Sequence, residues 1–328
     1  MRYFTFLTFR HWSVITKDIK LKRRFIFNDK EFAMATQPAL AGVWCPSVTP
    51  FDNQDKVDID ALGRHFSRLN TSGIDTILLM GSIGEFASLT QQERLHLLRE
   101  ARQLSPLTMV ANVSSTCVAD MLQLAEAAWQ HGFDAVMVLP PYYYGQTRQQ
   151  LLRYFKALDS QLGGKWFAYN FPARTGCDLT PSLIAELAAE LPNFIGIKDT
   201  TDCLSHNRAL IEETKKVRSD FAVLSGYDEY LLPNLLAGGA GAISGLNNIV
   251  PELFAQAMQA WRAGDLRQLT TIQQRIGQLM AIYTIGDDFV TTIKTAVARR
   301  FASMTTRSRN YGGELSTTQC AEIERLLG

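Results

Sequence analysis

The chain has 328 residues, 46% of them hydrophobic and 20% charged, an ordinary composition for a soluble globular protein with room for a large core. Its formal net charge of +1 makes no case for a nucleic-acid or acidic partner, and no stretch approaches the ~20 apolar residues a membrane span requires. Five cysteines without a CxxC pair and five histidines without metal-ligand spacing argue against a disulfide framework and a protein-bound metal, and for reduced thiols in the cytoplasm.

Charge is unevenly spread. Residues 1–33 carry eight Lys/Arg against three acidic side chains, leaving 25 basic and 29 acidic residues, a net −4, for 34–328. The leading stretch has no turn signals entering a strand, no sustained apolar period, and no secretory apolar run with a small-residue cleavage site. Met34 opens a second start, MATQPALAG, just before the first strand-like run. We expect residues 1–33 to be a disordered or non-native N-terminal extension, and 34–328 to be one domain.

From residue 40 onward, short apolar runs alternate with longer amphipathic segments. The runs fall at 40–47 (LAGVWCPS), 74–80 (IDTILLM), 107–112 (LTMVAN) and 134–138 (DAVMV), then at 166–169 (WFAY), 194–198 (FIGIK), 221–225 (FAVLS) and 241–244 (GAIS). Rich in Val, Ile, Leu and Phe without polar alternation, they suit strands buried on both faces of a parallel sheet. Between them, Thr90-Gln-Gln-Glu93 and Thr147-Arg-Gln-Gln150 read as capping boxes, and Thr180 as a cap ahead of Pro181 at the first helical position. Eight strand–helix units over roughly 220 residues predict an α/β fold, a (β/α)8 TIM barrel, with a doubly wound open sheet as the rival. Residues 250–302 and 316–327 read as additional C-terminal helices (about 250–328 in all), with Gly312-Gly313 in the turn between. Gly238-Gly-Ala-Gly241 precedes a strand rather than following one, so it reads as a tight turn and not as a dinucleotide-binding loop.

In such a barrel the reacting groups lie at the carboxyl ends of strands and in the loops just after them. That rule selects Gly81-Ser-Ile-Gly-Glu85, Pro141-Tyr-Tyr-Tyr144, Tyr169-Asn170, Lys198-Asp199 and Gly226-Tyr-Asp228. Lys198 ends an apolar strand, where burial disfavours an ammonium and favours the free amine that attacks a ketone. A lysine there could also snorkel out or pair with Asp199, although neighbours on a strand face opposite sides. Tyr169 would project toward the same mouth, where a phenol can carry protons or simply pack as a core aromatic. The loop 81–85 offers backbone N–H groups and one hydroxyl, either a cradle for a carboxylate or a plain tight turn. The Tyr142–Tyr144 cluster lacks the interleaved basic residues that stacking on nucleic-acid bases needs.

Together these loops resemble the dihydrodipicolinate synthase / N-acetylneuraminate lyase family. The stretches that carry the likeness, from about Gly42 to Arg262, are Thr49-Pro-Phe51, Gly81–Glu85, Pro141-Tyr-Tyr143, Tyr169-Asn-Phe-Pro172, Arg174-Thr-Gly176 and Ile195-Gly-Ile-Lys-Asp199. The resemblance implies a class I lyase in which Lys198 forms a Schiff base with pyruvate or another 2-keto acid. It implies that Tyr169 moves protons, linked through Ser82 to a Tyr143 reaching in from a neighbouring subunit. The keto-acid carboxylate would rest on the Ser82 and Ile83 N–H groups, with Ile243 lining the pocket. No metal or organic cofactor is implied. A homotetramer, a dimer of dimers, is.

Departures from the family pattern bear on the substrate. Ile83 stands where the synthases usually have a second hydroxyl residue, and Phe86, Gln91 and Arg94 do not resemble their lysine-inhibition pocket. Lys198-Asp-Thr-Thr-Asp202 with Gly226-Tyr-Asp-Glu229 looks like the aldolases acting on 2-keto-3-deoxy sugar acids, whereas Arg174-Thr-Gly176 is the synthase form, its arginine suited to a carboxylate. The expectation is therefore reversible cleavage of a 2-keto-3-deoxy sugar acid to pyruvate and an aldehyde. The alternatives are a dihydrodipicolinate synthase using aspartate semialdehyde, a keto-acid dehydratase, and a keto-acid-binding sensor.

Overall fold

Eight parallel strands close on themselves in chain order, β8 returning to β1. They are Gly42–Pro46 (β1), Thr76–Leu79 (β2), Thr108–Asn112 (β3), Ala135–Val138 (β4), Trp166–Asn170 (β5), Phe194–Asp199 (β6), Ala222–Ser225 (β7) and Gly241–Ile243 (β8). This computed structural model describes Pro38 and residues 40–328, so the expectation for residues 1–33 lies outside the described residues. All eight predicted runs are strands, with ends within two residues of the expected ones, and closure decides against the open sheet. Every strand is buried almost throughout, which explains its unbroken apolar sequence.

Helices alternate with the strands: Ile59–Leu69 (α1), Gln91–Gln103 (α2), Val118–Gln130 (α3), Arg148–Asp159 (α4), the single turn Pro172–Thr175 (α5), Pro181–Glu190 (α6), Leu204–Val217 (α7) and Leu231–Leu236 (α8). The stretch 250–302 holds three helices, Pro251–Ala263 (α9), Leu266–Leu279 (α10) and Phe289–Phe301 (α11), before the last, Thr317–Leu327 (α12). Among the described residues no helix is long and apolar enough to cross a membrane.

The capping boxes at Thr90/Glu93 and Thr147/Gln150 both form, and a third, Ser316/Gln319, starts α12. Thr180 holds the N-cap position ahead of Pro181 as expected, without a side-chain capping bond. Pro181 opens α6, and the exposed Thr180 hydroxyl lies 3.5 Å from Ser182 Oγ and caps no backbone N–H. The Gly238–Gly241 turn serves closure: Gly241 has φ +132°, and a Cβ on it would sit 1.9 Å from the Gly42 carbonyl oxygen where β8 meets β1.

Alternation sorts the aromatic residues into two layers. Trp44 and Phe167, from opposite sides of the barrel, meet edge-on at 5.1 Å in its interior. Trp166 faces the other way, stacked between Phe155 of α4 at 5.6 Å and Phe194 at 4.3 Å. Between β5 and β6 the register slips: Trp166 pairs with Phe194 but Phe167 with Gly196, leaving Ile195 as an extra residue. The pairing then runs regularly to Tyr169 opposite Lys198 and Asn170 opposite Asp199.

Candidate active site

Two residues beyond Phe167, Tyr169 shares its inward face, and Lys198 stands beside it on the next strand. Lys198 is 5% exposed, with Nζ 4.2 Å from the centroid of the Tyr169 ring. Among the described residues no carboxylate lies within ion-pair distance of that amine. Asp199 is not its partner. Pointing outward, Asp199 accepts from Asn170 Nδ2 at 3.0 Å and Thr201 Oγ1 at 2.9 Å on one oxygen, and meets His206 Nδ1 at 3.2 Å on the other. His206 also faces Asp178 at 3.2 Å; burial works against its charge, yet the two carboxylates push its pKa up to about 10. Strand alternation thus leaves the amine inside with no counter-ion among the described residues, and turns Asp199 outward into a network of its own.

The Tyr169 hydroxyl meets Ser82 Oγ at 3.1 Å, so the loop after β2 reaches the same spot. That loop is bounded by two non-glycine residues in left-handed conformation, Met80 and Glu85, both with φ of +56°. Its carbonyls point one way: Phe86 N–H donates to Gly81 O at 3.4 Å, and Glu85 N–H to Ser82 O at 3.1 Å. In a planar trans peptide the N–H opposes the C=O, so the Ser82 and Ile83 N–H groups both point the other way. Neither has an acceptor among the described residues. Two parallel donors beside a hydroxyl can hold an anionic oxygen pair. Ile243 is buried at the end of β8, and the Ile83 side chain lies against Gly245 just beyond it.

Two expected residues stand apart. Tyr143 is 87% exposed, with φ +101° and its ring edge-on to Tyr144 at 5.0 Å, and it does not join the Ser82–Tyr169 pair within the chain. Arg174, exposed on α5, lies 5.9 Å from the Phe171 ring and 6.0 Å from the Phe289 ring and has no ion pair among the described residues. Arg94 is spent internally, donating to the Ser114 and Asn112 carbonyls at 2.9 and 2.8 Å. Among the described residues, no three His, Cys, Asp or Glu side chains converge as a metal site would.

Sequence reasoning missed two features. Tyr283, from the turn between α10 and α11, donates to buried Asp228 Oδ2 at 2.6 Å, and burial raises the pKa of both groups. Only the position of Asp228 after β7 hinted at this. The Thr200 hydroxyl, two residues past Lys198, is buried without a hydrogen-bond partner among the described residues. It and Lys198 Cε flank Gly226, at 2.1 and 3.2 Å from where a Cβ would stand.

A model of the dihydrodipicolinate synthetase family matches residues 39–327. The Escherichia coli (strain K12) protein named "Putative 2-dehydro-3-deoxy-D-gluconate aldolase YagE" is 32% identical over 296 residues, 90% of this chain and 98% of that one. The crystal structure of YagE in complex with pyruvate superimposes with a TM-score of 0.85, covering 88% of this chain and 97% of YagE. A second protein of that strain, "Probable 2-dehydro-3-deoxy-D-pentonate aldolase YjhH", is 34% identical over 77% of this chain and 85% of its own length. A 4-hydroxy-tetrahydrodipicolinate synthase of Maridesulfovibrio salexigens is 32% identical over 78% of this chain and 87% of its own.

Proposed function

This chain belongs to the dihydrodipicolinate synthetase family, and from that premise we propose that it is a Schiff-base lyase that reversibly cleaves a 2-keto-3-deoxy sugar acid to pyruvate and an aldehyde. The observation that carries the reading is Lys198, buried with no carboxylate partner among the described residues, over the ring of a tyrosine whose hydroxyl is bonded to Ser82. An amine held by a salt bridge would lose nucleophilicity; this one has no such restraint.

The keto acid enters with its carboxylate on the Ser82 and Ile83 N–H groups and Ile243 along its side. Lys198 Nζ attacks C2, water leaves with the carbonyl oxygen, and a protonated imine remains. Tyr169 takes the proton of the C4 hydroxyl; the O–H electrons form the aldehyde carbonyl, and the C3–C4 bond breaks with its pair moving through C3 to the imine nitrogen. Protonation at C3 and hydrolysis release pyruvate and restore the amine. Ser82 connects Tyr169 to the proton supply, and Tyr143 extends that line from a neighbouring copy in a dimer of dimers. This chemistry calls on no metal or organic cofactor. Residues 34–328 act as one catalytic domain, in the cytoplasm.

The unpartnered Thr200 hydroxyl beside Lys198 suits a polyhydroxylated tail, in line with the names of YagE and YjhH. Arg174, free of ion pairs among the described residues, favours a second reading: condensation of pyruvate with an acidic aldehyde such as aspartate semialdehyde. One assay separates the two. Pyruvate release from a panel of 2-keto-3-deoxy sugar acids is expected, with Lys198→Ala as the control; silence across the panel, with consumption of pyruvate only when aspartate semialdehyde is present, would replace the first reading by the second.

Gly226→Ala tests the space around the amine. Its methyl would stand 2.1 Å from Thr200 Oγ1 and 3.2 Å from Lys198 Cε, so Thr200 must move and the lysine is crowded. Turnover is expected to fall about 100-fold, the scale of an ångström-sized misplacement of a reacting group, with the barrel still folded. A variant within threefold of wild type would show that Thr200 and Lys198 do not need that geometry.

A further inference from the structure

The C-terminal extension reaches back to the carboxylate-binding loop through one buried side chain. Glu85, 2% exposed, ends the loop 81–85, yet all its side-chain partners lie more than 200 residues away. Lys294 of α11 pairs with Oε1, while Ser308 Oγ at 3.0 Å and Arg309 N–H at 2.6 Å donate to Oε2. The segment 303–310 that supplies the last two is tied down along its length. Thr305 Oγ1 donates to Phe51 O at 2.6 Å, the Arg307 carbonyl accepts from Lys294 at 2.8 Å, and the Arg309 guanidinium grips both oxygens of Glu93 at 2.6 and 2.8 Å. The Phe51 ring has two cations against it, with Lys294 Nζ 4.2 Å and the Arg309 guanidinium carbon 4.3 Å from its centroid.

We propose that residues 303–310 and Lys294 form a strap that positions the Ser82–Ile83 N–H pair for the substrate carboxylate, acting through Glu85. The chain of cause is short. The strap fixes the Glu85 carboxylate and so holds its backbone at φ +56°, a conformation a non-glycine residue adopts only at a cost. In that conformation the Glu85 and Phe86 amides hold the Ser82 and Gly81 carbonyls, and peptide planarity then aims the two free N–H groups. Burial explains why the hold is stiff. A carboxylate in this position must keep all three donors or carry an unpaired charge inside the protein. Glu85 is thus a positioning residue, and the strap gives the extension beyond the barrel a part in substrate recognition.

The inference rests on the reading that this N–H pair binds the keto-acid carboxylate, and the test separates the two. Full-length protein is reacted with pyruvate or with its uncharged methyl ester in the presence of cyanoborohydride, and the rate of adduct formation at Lys198 is read by mass. In the Ser308→Ala/Arg309→Ala double variant, the preference for pyruvate over the ester is expected to fall about tenfold, the scale of one weakened hydrogen bond to a charged group, while ester trapping is unchanged. Lys294→Met strands the Glu85 charge, so that arm uses Lys294→Met combined with Glu85→Gln, which removes both charges and should show the same loss. A wild type that traps pyruvate and its ester alike would remove the carboxylate site and the strap with it. A wild type that prefers pyruvate, with folded variants keeping that preference, would overturn the strap alone. A structural role without positioning would slow both ketones equally, which also overturns it.

Discussion

Lys198→Ala will gain no mass from pyruvate and borohydride, whereas the wild type will gain one stable adduct. Turnover in the variant will fall about ten-thousand-fold or more, because removing the nucleophile of a covalent mechanism removes the intermediate, not merely a contact. The loss is expected without unfolding: the amine is buried over the Tyr169 ring and, among the described residues, pairs with no carboxylate that truncation would strand. Lys198→Arg should be equally inactive, since a guanidinium stays protonated and cannot attack C2. An adduct of equal yield in Lys198→Ala would move the Schiff base to another lysine and overturn the mechanism.

Tyr169→Phe is the second large effect. The ring would keep its stack on Phe171 at 5.9 Å and its place beneath Lys198, so packing is preserved and only the hydroxyl on Ser82 goes. Loss of a positioned proton carrier costs about 100- to 10,000-fold. The borohydride adduct with pyruvate should still form, more slowly, because Lys198 is intact, while release of aldehyde from a 2-keto-3-deoxy acid nearly stops. That split between trapping and cleavage identifies a proton carrier. If both steps fell equally and the protein melted earlier, Tyr169 would be a packing residue only.

The barrel was legible because each strand is buried on both faces, so its sequence is a plain apolar run, and because Thr90 and Thr147 mark helix starts by local hydrogen bonds. Lys198 and Tyr169 were legible for a related reason: polar residues that end apolar runs stand out. Thr180 marked its helix start correctly but makes no capping bond, because where a hydroxyl turns is not recorded by residue type. Tyr283 and the partners of Glu85 left no local trace. Asp228 finds Tyr283 55 residues away and Glu85 finds Lys294 209 residues away, and nothing in either short stretch announces the other. Tyr143 was read from the family motif alone, and within one chain it is exposed and apart from the Ser82–Tyr169 pair.

The irregularity at Ile195 decides where this protein could change length over evolutionary time. Losing Ile195 would merely make the β5–β6 pairing regular, with Phe167 still opposite Gly196 and Tyr169 still opposite Lys198. Losing Ile197 instead would draw Asp199 opposite Tyr169 and turn a carboxylate into the mouth where the amine belongs. A one-residue deletion is therefore tolerable at the start of this strand and ruinous two residues later.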